Sequence, residues 1–142
     1  MSVNDLLAPM YEYFFNWDNY EILLTCLWDN NDYGKFGWLL LLVPLLLLVL
    51  FYKVWEPMRK QRLMWLITII ITSFVSYAAT TGIVFNNECI LDELAAYTGD
   101  QVNPEYFIFQ ISMITVFYSV IISFIYTLLI KRFSTHNSHN PF

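Results

Sequence analysis

Three stretches of this chain contain no Asp, Glu, Lys, Arg or His: Phe36 to Tyr52, Leu63 to Phe85 and Tyr106 to Ile130. A bilayer core takes about 20 apolar residues in a helix, with a tolerated range of about 17–25. All three runs qualify. Lipid offers no partner to an open backbone N–H or C=O, so each run is expected to be helical. The sequence therefore reads as an all-α integral membrane protein with three transmembrane helices. Composition agrees, with 58% hydrophobic and 13% charged residues, against about 25% charged in an ordinary soluble domain. In water that imbalance would leave too much apolar surface exposed.

The organisation that follows has three parts: an N-terminal arm over residues 1–35, a transmembrane domain over 36–130 with spans at 36–52, 63–85 and 106–130, and a polar tail over 131–142. Pro44 lies in the middle of the first span. It is expected to bend that helix and to free the carbonyl of Leu40. Trp38, Tyr52, Trp55, Trp65, Phe85, Tyr106 and Phe133 fall at the span edges, where interfacial aromatic belts form.

The net charge of −5 is sorted along the chain. The arm holds Asp5, Glu12, Asp18, Glu21, Asp29 and Asp32 against Lys35 alone. The segment between the second and third spans holds Glu88, Asp92, Glu93, Asp100 and Glu105 and no base. The loop between the first and second spans holds Lys53, Arg59, Lys60 and Arg62 against Glu56, and the tail holds Lys131 and Arg132. Three spans put the two basic segments on one side and the two acidic ones on the other. Lys and Arg near span ends stay in the cytoplasm. The expectation is an N-terminus outside, a C-terminus in the cytoplasm, and a bacterial inner membrane as the host. The start of the chain has no basic region, and Asp5 and Glu12 interrupt its apolar residues, so no secretory signal peptide is read there. Neither end carries a myristoylation or prenylation motif. The acidic balance excludes nucleic acid as a partner, since phosphate binding needs clustered Lys and Arg.

Two short amphipathic helices are expected on the outer face. Ser2 and Asp5 form an S-x-x-D helix start before Leu6 and Leu7, and Asp18 or Asn19 is positioned to cap a second helix running to Trp28. Gly34 and Gly37 are expected to mark a turn into the first span. The polar faces carry acid rather than base, which favours contact with a protein over adhesion to anionic lipid. The two cysteines, Cys26 and Cys89, fall on the same outer side. An oxidising compartment permits a disulfide between them, and two unpaired thiols are the alternative, because sequence does not supply the Cα separation.

Catalytic chemistry is hard to place. The spans lack ionisable groups, which membrane enzymes need near their substrates. His136 and His139 have an H-x-x-H spacing without Cys or carboxylate neighbours, and read as part of a polar tail. Glu88, Asp92 and Glu93 could form a carboxylate cluster, with Glu88 and Asp92 at the spacing of one helix face, but they read as a solvated acidic loop. No catalytic residue, cofactor site or metal site is assigned, and the chain is not read as an enzyme.

One pattern stands out within the membrane. Thr68, Thr72, Ser76 and Thr80 recur every four residues in the second span, with Gly82 beyond them. Thr115, Ser119, Ser123 and Thr127 do the same in the third span. A four-residue step drifts about 40° around a helix, so each set forms a slowly winding ridge of small side chains. Such ridges let helices approach closely and hydrogen-bond across the contact. The alternative is that each hydroxyl bonds its own preceding turn. An antiparallel hairpin of the second and third spans is expected, with the Leu-rich first span facing lipid or a partner. The functional expectation is a non-catalytic subunit of a larger membrane complex of secretion, envelope or respiratory type, with other membrane protein subunits and the bilayer as partners. The competing expectation is a small homo-oligomeric pore lined by the hydroxyls. The three-span plan resembles, in topology alone, that of one class of phage holins.

Overall fold

The computed structural model describes residues 2–54, 61–99 and 103–133. Six helices follow in order: α1 (Val3–Glu12), α2 (Trp17–Asp29), α3 (Asp32–Val54), α4 (Gln61–Phe85), α5 (Glu88–Ala95) and α6 (Pro104–Phe133). No strand occurs among the described residues. Three helices are long and apolar enough to cross a membrane, over Asp32–Lys53, Arg62–Phe85 and Pro104–Ile130. The chain is thus a multi-pass membrane protein by length and composition of its helices.

Each long helix outruns its uncharged stretch, because a helix tolerates charge at its ends. Asp32 sits in the first turn of α3 and Lys53 in its last, the polarity that the helix dipole favours. The expected turn at Gly34 and Gly37 is displaced: both glycines are inside α3. The chain reverses instead at Asn31, whose φ of 56° lies in the left-handed region, a conformation Asn tolerates better than most residues. Gly37 serves packing. A Cβ there would collide with Leu7 Cδ1 and lie 3.5 Å from Val3 Cγ1, so its absence lets α1 lie directly on α3. The second short helix starts slightly earlier than expected. Its cap is Asn16, whose side chain accepts from the Asp18 N–H at 3.3 Å.

Helices α3, α4 and α6 form a three-helix bundle, with α4 against α6 as its most extensive contact. The first span, expected to face lipid or a partner, packs one side against both other spans and leaves only its opposite side outward. Phe36, Leu40, Pro44, Leu48 and Phe51 are buried at spacings of three and four, one stripe of a helix. The opposite face, with Leu41, Leu42, Leu45, Leu46, Val49 and Leu50, is exposed. A ridge made of Leu and Phe packs as well as one made of Ser, so the lack of small residues does not exclude a helix from the bundle. Helix α3 continues through Pro44. Three residues before it, the Leu41 carbonyl accepts from the Tyr126 hydroxyl at 3.2 Å.

The short helices α1, α2 and α5 gather at one end of the bundle. Ala8, Tyr11, Leu24, Leu27 and Ile90 from them, with Phe15 from the α1–α2 connection, join Tyr33, Phe36, Phe107 and Ile111 from the spans in a single buried cluster. The two acidic segments therefore share one end, while Lys53 and Arg62 close α3 and open α4 at the other. Trp55, Glu56, Arg59, Lys60, Asp100, His136 and His139 lie outside the described residues, as do the side chains of Lys131, Arg132 and Phe133.

Candidate functional site

Two polar arrangements interrupt the apolar interior. The first is the seam between α4 and α6. Thr68, Thr72, Ser76, Thr80, Thr115, Ser119, Ser123 and Thr127 are all 3% exposed or less. Six of the eight hydroxyls donate to a carbonyl four residues earlier in their own helix: Thr68, Thr72, Thr80, Thr115, Ser123 and Thr127. The remaining pair meets across the seam, Ser76 Oγ to Ser119 Oγ at 3.0 Å. Two further bonds cross it, Thr81 to Ser112 at 3.0 Å and Trp65 Nε1 to Thr127 Oγ1 at 3.0 Å. Local bonding and close packing, posed as alternatives by the sequence, coexist. Small size brings the backbones together, and local bonds leave the hydroxyls satisfied wherever no partner stands opposite.

Gly82 does not belong to this seam. It is exposed, and a Cβ there would meet nothing within 4 Å. The reason is angular: two residues beyond Thr80 is about 200° around the helix. The ladder continues instead at Val84, which is fully buried.

The second arrangement is a polar knot beneath the cap. Asn87 caps α5, its Oδ1 accepting from the Cys89 N–H at 3.1 Å. Its amide group donates to the Cys26 carbonyl at 3.0 Å and to Asp32 Oδ2 at 2.8 Å. Asp32 is fully buried. Its other oxygen accepts from Lys35 Nζ at 2.7 Å and from Asn30 Nδ2 at 3.0 Å. A buried carboxylate is tolerable only with partners of this kind. Beside the knot, Cys26 and Cys89 are joined by a disulfide, with Cα atoms 5.7 Å apart. The bond and the Asn87 side chain together tie α2 to the start of α5 and to the first turn of α3. An open cleft of about 410 Å³, lined by Asp29, Asn30, Asn86 and Glu88, reaches the disulfide from outside.

Tyrosines hold the rest of the cap. The Tyr11 hydroxyl lies 3.1 Å from Thr115 Oγ1. Thr115 gives its own proton to Ile111, so Tyr11 is the donor. Burial pushes the Tyr11 phenol above the ordinary tyrosine range. Tyr20 donates to Gln110 Oε1 at 3.2 Å, Tyr33 to Glu12 Oε1 at 3.3 Å, and Tyr118 to the Met10 carbonyl at 2.9 Å. At the chain start, Ser2 and Asp5 form the capping box that the S-x-x-D spacing anticipates. The Ser2 N–H, 2.8 Å from Asp5 Oδ2, and the Ser2 hydroxyl hold the Asp5 carboxyl below the usual range.

Asn87, Asp32 and Tyr11 are absent from the residues singled out by sequence reasoning. Asn87 was within reach, because Asn directly before Glu88 is a helix-start signal. Asp32 was not, since a charge count treats every acid in the arm alike. Among the described residues, no three His, Cys, Asp or Glu side chains come together to hold a metal ion. Both arrangements are structural in chemistry: donors and acceptors face each other, and no nucleophile is set against a base. Comparison with protein-family models, with curated proteins and with solved structures finds no match to this chain.

Proposed function

We propose that the protein is a non-catalytic, multi-pass subunit that assembles with other membrane proteins through the outward faces of its spans, in a bacterial inner membrane. Its cap faces away from the cytoplasm and its C-terminus lies within it. The observation that supports this reading is how polarity is sorted. The seam hydroxyls point inward and are bonded, whereas the outward faces present large apolar groups: Phe74 at 74% exposure, Leu46 at 60%, Ile70 at 58% and Phe117 at 56%. Such faces suit lipid or partner helices and offer no chemistry to a substrate. The charge segregation supports the orientation, since both basic segments flank the ends opposite the cap. A hydroxyl-lined pore has less support, because the hydroxyls it would use are buried within one chain.

The test is purification of the tagged protein in mild detergent from its own cell, followed by mass measurement of the intact particle. Companion chains at fixed stoichiometry are expected. A particle with the mass of one chain overturns the proposal. A closed homo-oligomer that carries ion flux in liposomes replaces it with the pore. A C-terminal reporter active only in the cytoplasm checks orientation, and a silent reporter with normal protein levels reverses it.

A further inference from the structure

Helix α1 is built inside out for a helix on a water-exposed surface. Its bundle-facing side carries Asn4, Ala8 and Tyr11, all buried. Its outward side carries Val3, Leu6 and Met10, which are 49%, 60% and 38% exposed, and the chain beyond adds Phe14 at 50%. A soluble cap would show the reverse pattern.

The depth of α1 on the bundle explains this polarity. Gly37, which Leu7 touches, stands 16 residues from Lys53 along α3, and Thr115, which Tyr11 touches, stands 16 residues from Lys131 along α6. At 1.5 Å per residue both contacts lie about 24 Å from the basic end of their helix. Tyr118, which bonds the Met10 carbonyl, stands 13 residues from Lys131, or about 20 Å. With the basic residues at one edge of a hydrocarbon core about 30 Å thick, α1 rests about 6–10 Å beneath the opposite edge. Two helices give the same depth independently, and it holds whichever side is cytoplasmic. Interfacial helices sit about 5–10 Å into the boundary between headgroups and acyl chains.

The ends of α1 fit that solvent. A helix terminus in lipid must find partners for its orphan backbone groups. The N-terminus has the Ser2–Asp5 capping box. At the C-terminus, the Met10 carbonyl takes the Tyr118 hydroxyl, a donor from a span rather than from water. The Glu12 carboxylate accepts from Tyr33, which stands 20 residues from Lys53 and so, at about 30 Å, level with the edge of the core.

We infer that α1 is embedded in the leaflet opposite the basic ends, with Val3, Leu6 and Met10 against acyl chains and continuous with the lipid-facing side of α3 at Trp38, Leu41 and Leu42. This replaces the expectation of a protein contact for α1. Its acids are held by Ser2 and Tyr33, at the helix ends, so they do not keep the outward face in water. The inference concerns the purified chain in a bilayer, and stands or falls apart from any companion subunit.

The test is collision accessibility of single nitroxide labels on the full chain in phosphatidylcholine nanodiscs, with the Cys26–Cys89 bond kept oxidised. Labels are placed through Leu6→Cys and Met10→Cys, with Leu45→Cys on the outer side of α3 as the lipid reference and Asn19→Cys on α2 as the water reference. Both α1 labels are expected to favour oxygen over a water-soluble nickel chelate several-fold more than the Asn19 label does, and to fall between it and the deeper Leu45 label. An Asn19-like ratio at Leu6 and Met10 places α1 in water and overturns the inference. Suppressed collision with both reagents means that protein covers α1, and also overturns it; dipolar broadening in that case identifies the cover as a second copy. Leu6 and Met10 touch the core little, so either label reports on a folded chain.

Discussion

Replacing Ser119 by Leu tests whether the α4–α6 seam is held by shape. Ser119 is fully buried and its hydroxyl sits 3.0 Å from Ser76 Oγ, also fully buried. Leucine would add two heavy atoms where two backbones meet, and overpacking a close contact costs about 1–3 kcal/mol. The lost hydroxyl pair adds about 0.6 kcal/mol, the average for a hydrogen bond between membrane helices. The sum centres near 2.5 kcal/mol, a change of roughly seventyfold in the folded-to-unfolded ratio. Ser119→Ala keeps the close approach and loses only the pair, so its cost is about 0.6 kcal/mol. Gly82→Leu is the control: nothing lies within 4 Å of the added Cβ, and removing a glycine from a helix interior gains up to about 1 kcal/mol. The assay is reversible unfolding in mixed detergent micelles, following tryptophan fluorescence. The expected order of stability is Gly82→Leu at or above the parent, Ser119→Ala slightly below it, and Ser119→Leu far below. If Ser119→Leu matches the parent, or Gly82→Leu costs as much as Ser119→Leu, the seam has been assigned to the wrong faces.

Three other outcomes are expected. Asn87→Ala removes a donor from the buried Asp32 and from the Cys26 carbonyl, and should cost about 1–3 kcal/mol in the same assay; Asn87→Asp, which puts a second carboxylate against Asp32, should cost more. Reducing the Cys26–Cys89 bond, which spans 63 residues, should destabilise the cap by up to about 4 kcal/mol in a chain-entropy account, less in a bilayer that already confines the spans; unchanged protease resistance of the arm after reduction would refute this. Because folding raises the Tyr11 phenol, its contribution is complete below the ordinary tyrosine value of about 10 and is lost as pH climbs through the folded value. Stability should therefore fall above about pH 10, and Tyr11→Phe should make that fall shallower by one proton.

The spans were legible because hydropathy over some 20 residues depends on the solvent and hardly at all on neighbours. Their ends were less so. A count that stops at the first charge misses Asp32 and Lys35, which α3 absorbs into its first turns. The ladders were legible as spacing, and spacing also shows why Gly82 fails: it was grouped by size when its angle puts it on the far side. The role of α3 in the bundle could not be read from small residues, since its contact is built from Leu, Phe and Pro. The knot around Asn87 depends on Cys26, Asp32 and Asn87 meeting across 55 and 61 positions of sequence. No local pattern encodes such a meeting, and the capping preference of Asn is its only trace.

The seam also bears on how the protein is made. A span leaving the insertion machinery enters lipid before its neighbour arrives, and an unbonded hydroxyl there would weigh against insertion. Because Thr68, Thr72 and Thr80 in α4 bond within their own helix, as do Thr115, Ser123 and Thr127 in α6, most of the ladder hydroxyls are satisfied before the helices meet. Ser76 and Ser119 wait for each other, as do Thr81 and Ser112. Entry into the bilayer and docking of α4 against α6 are thereby separable events. A substitution in the seam can spoil the second and leave the first intact, yielding a chain that is inserted with the right topology yet never closes.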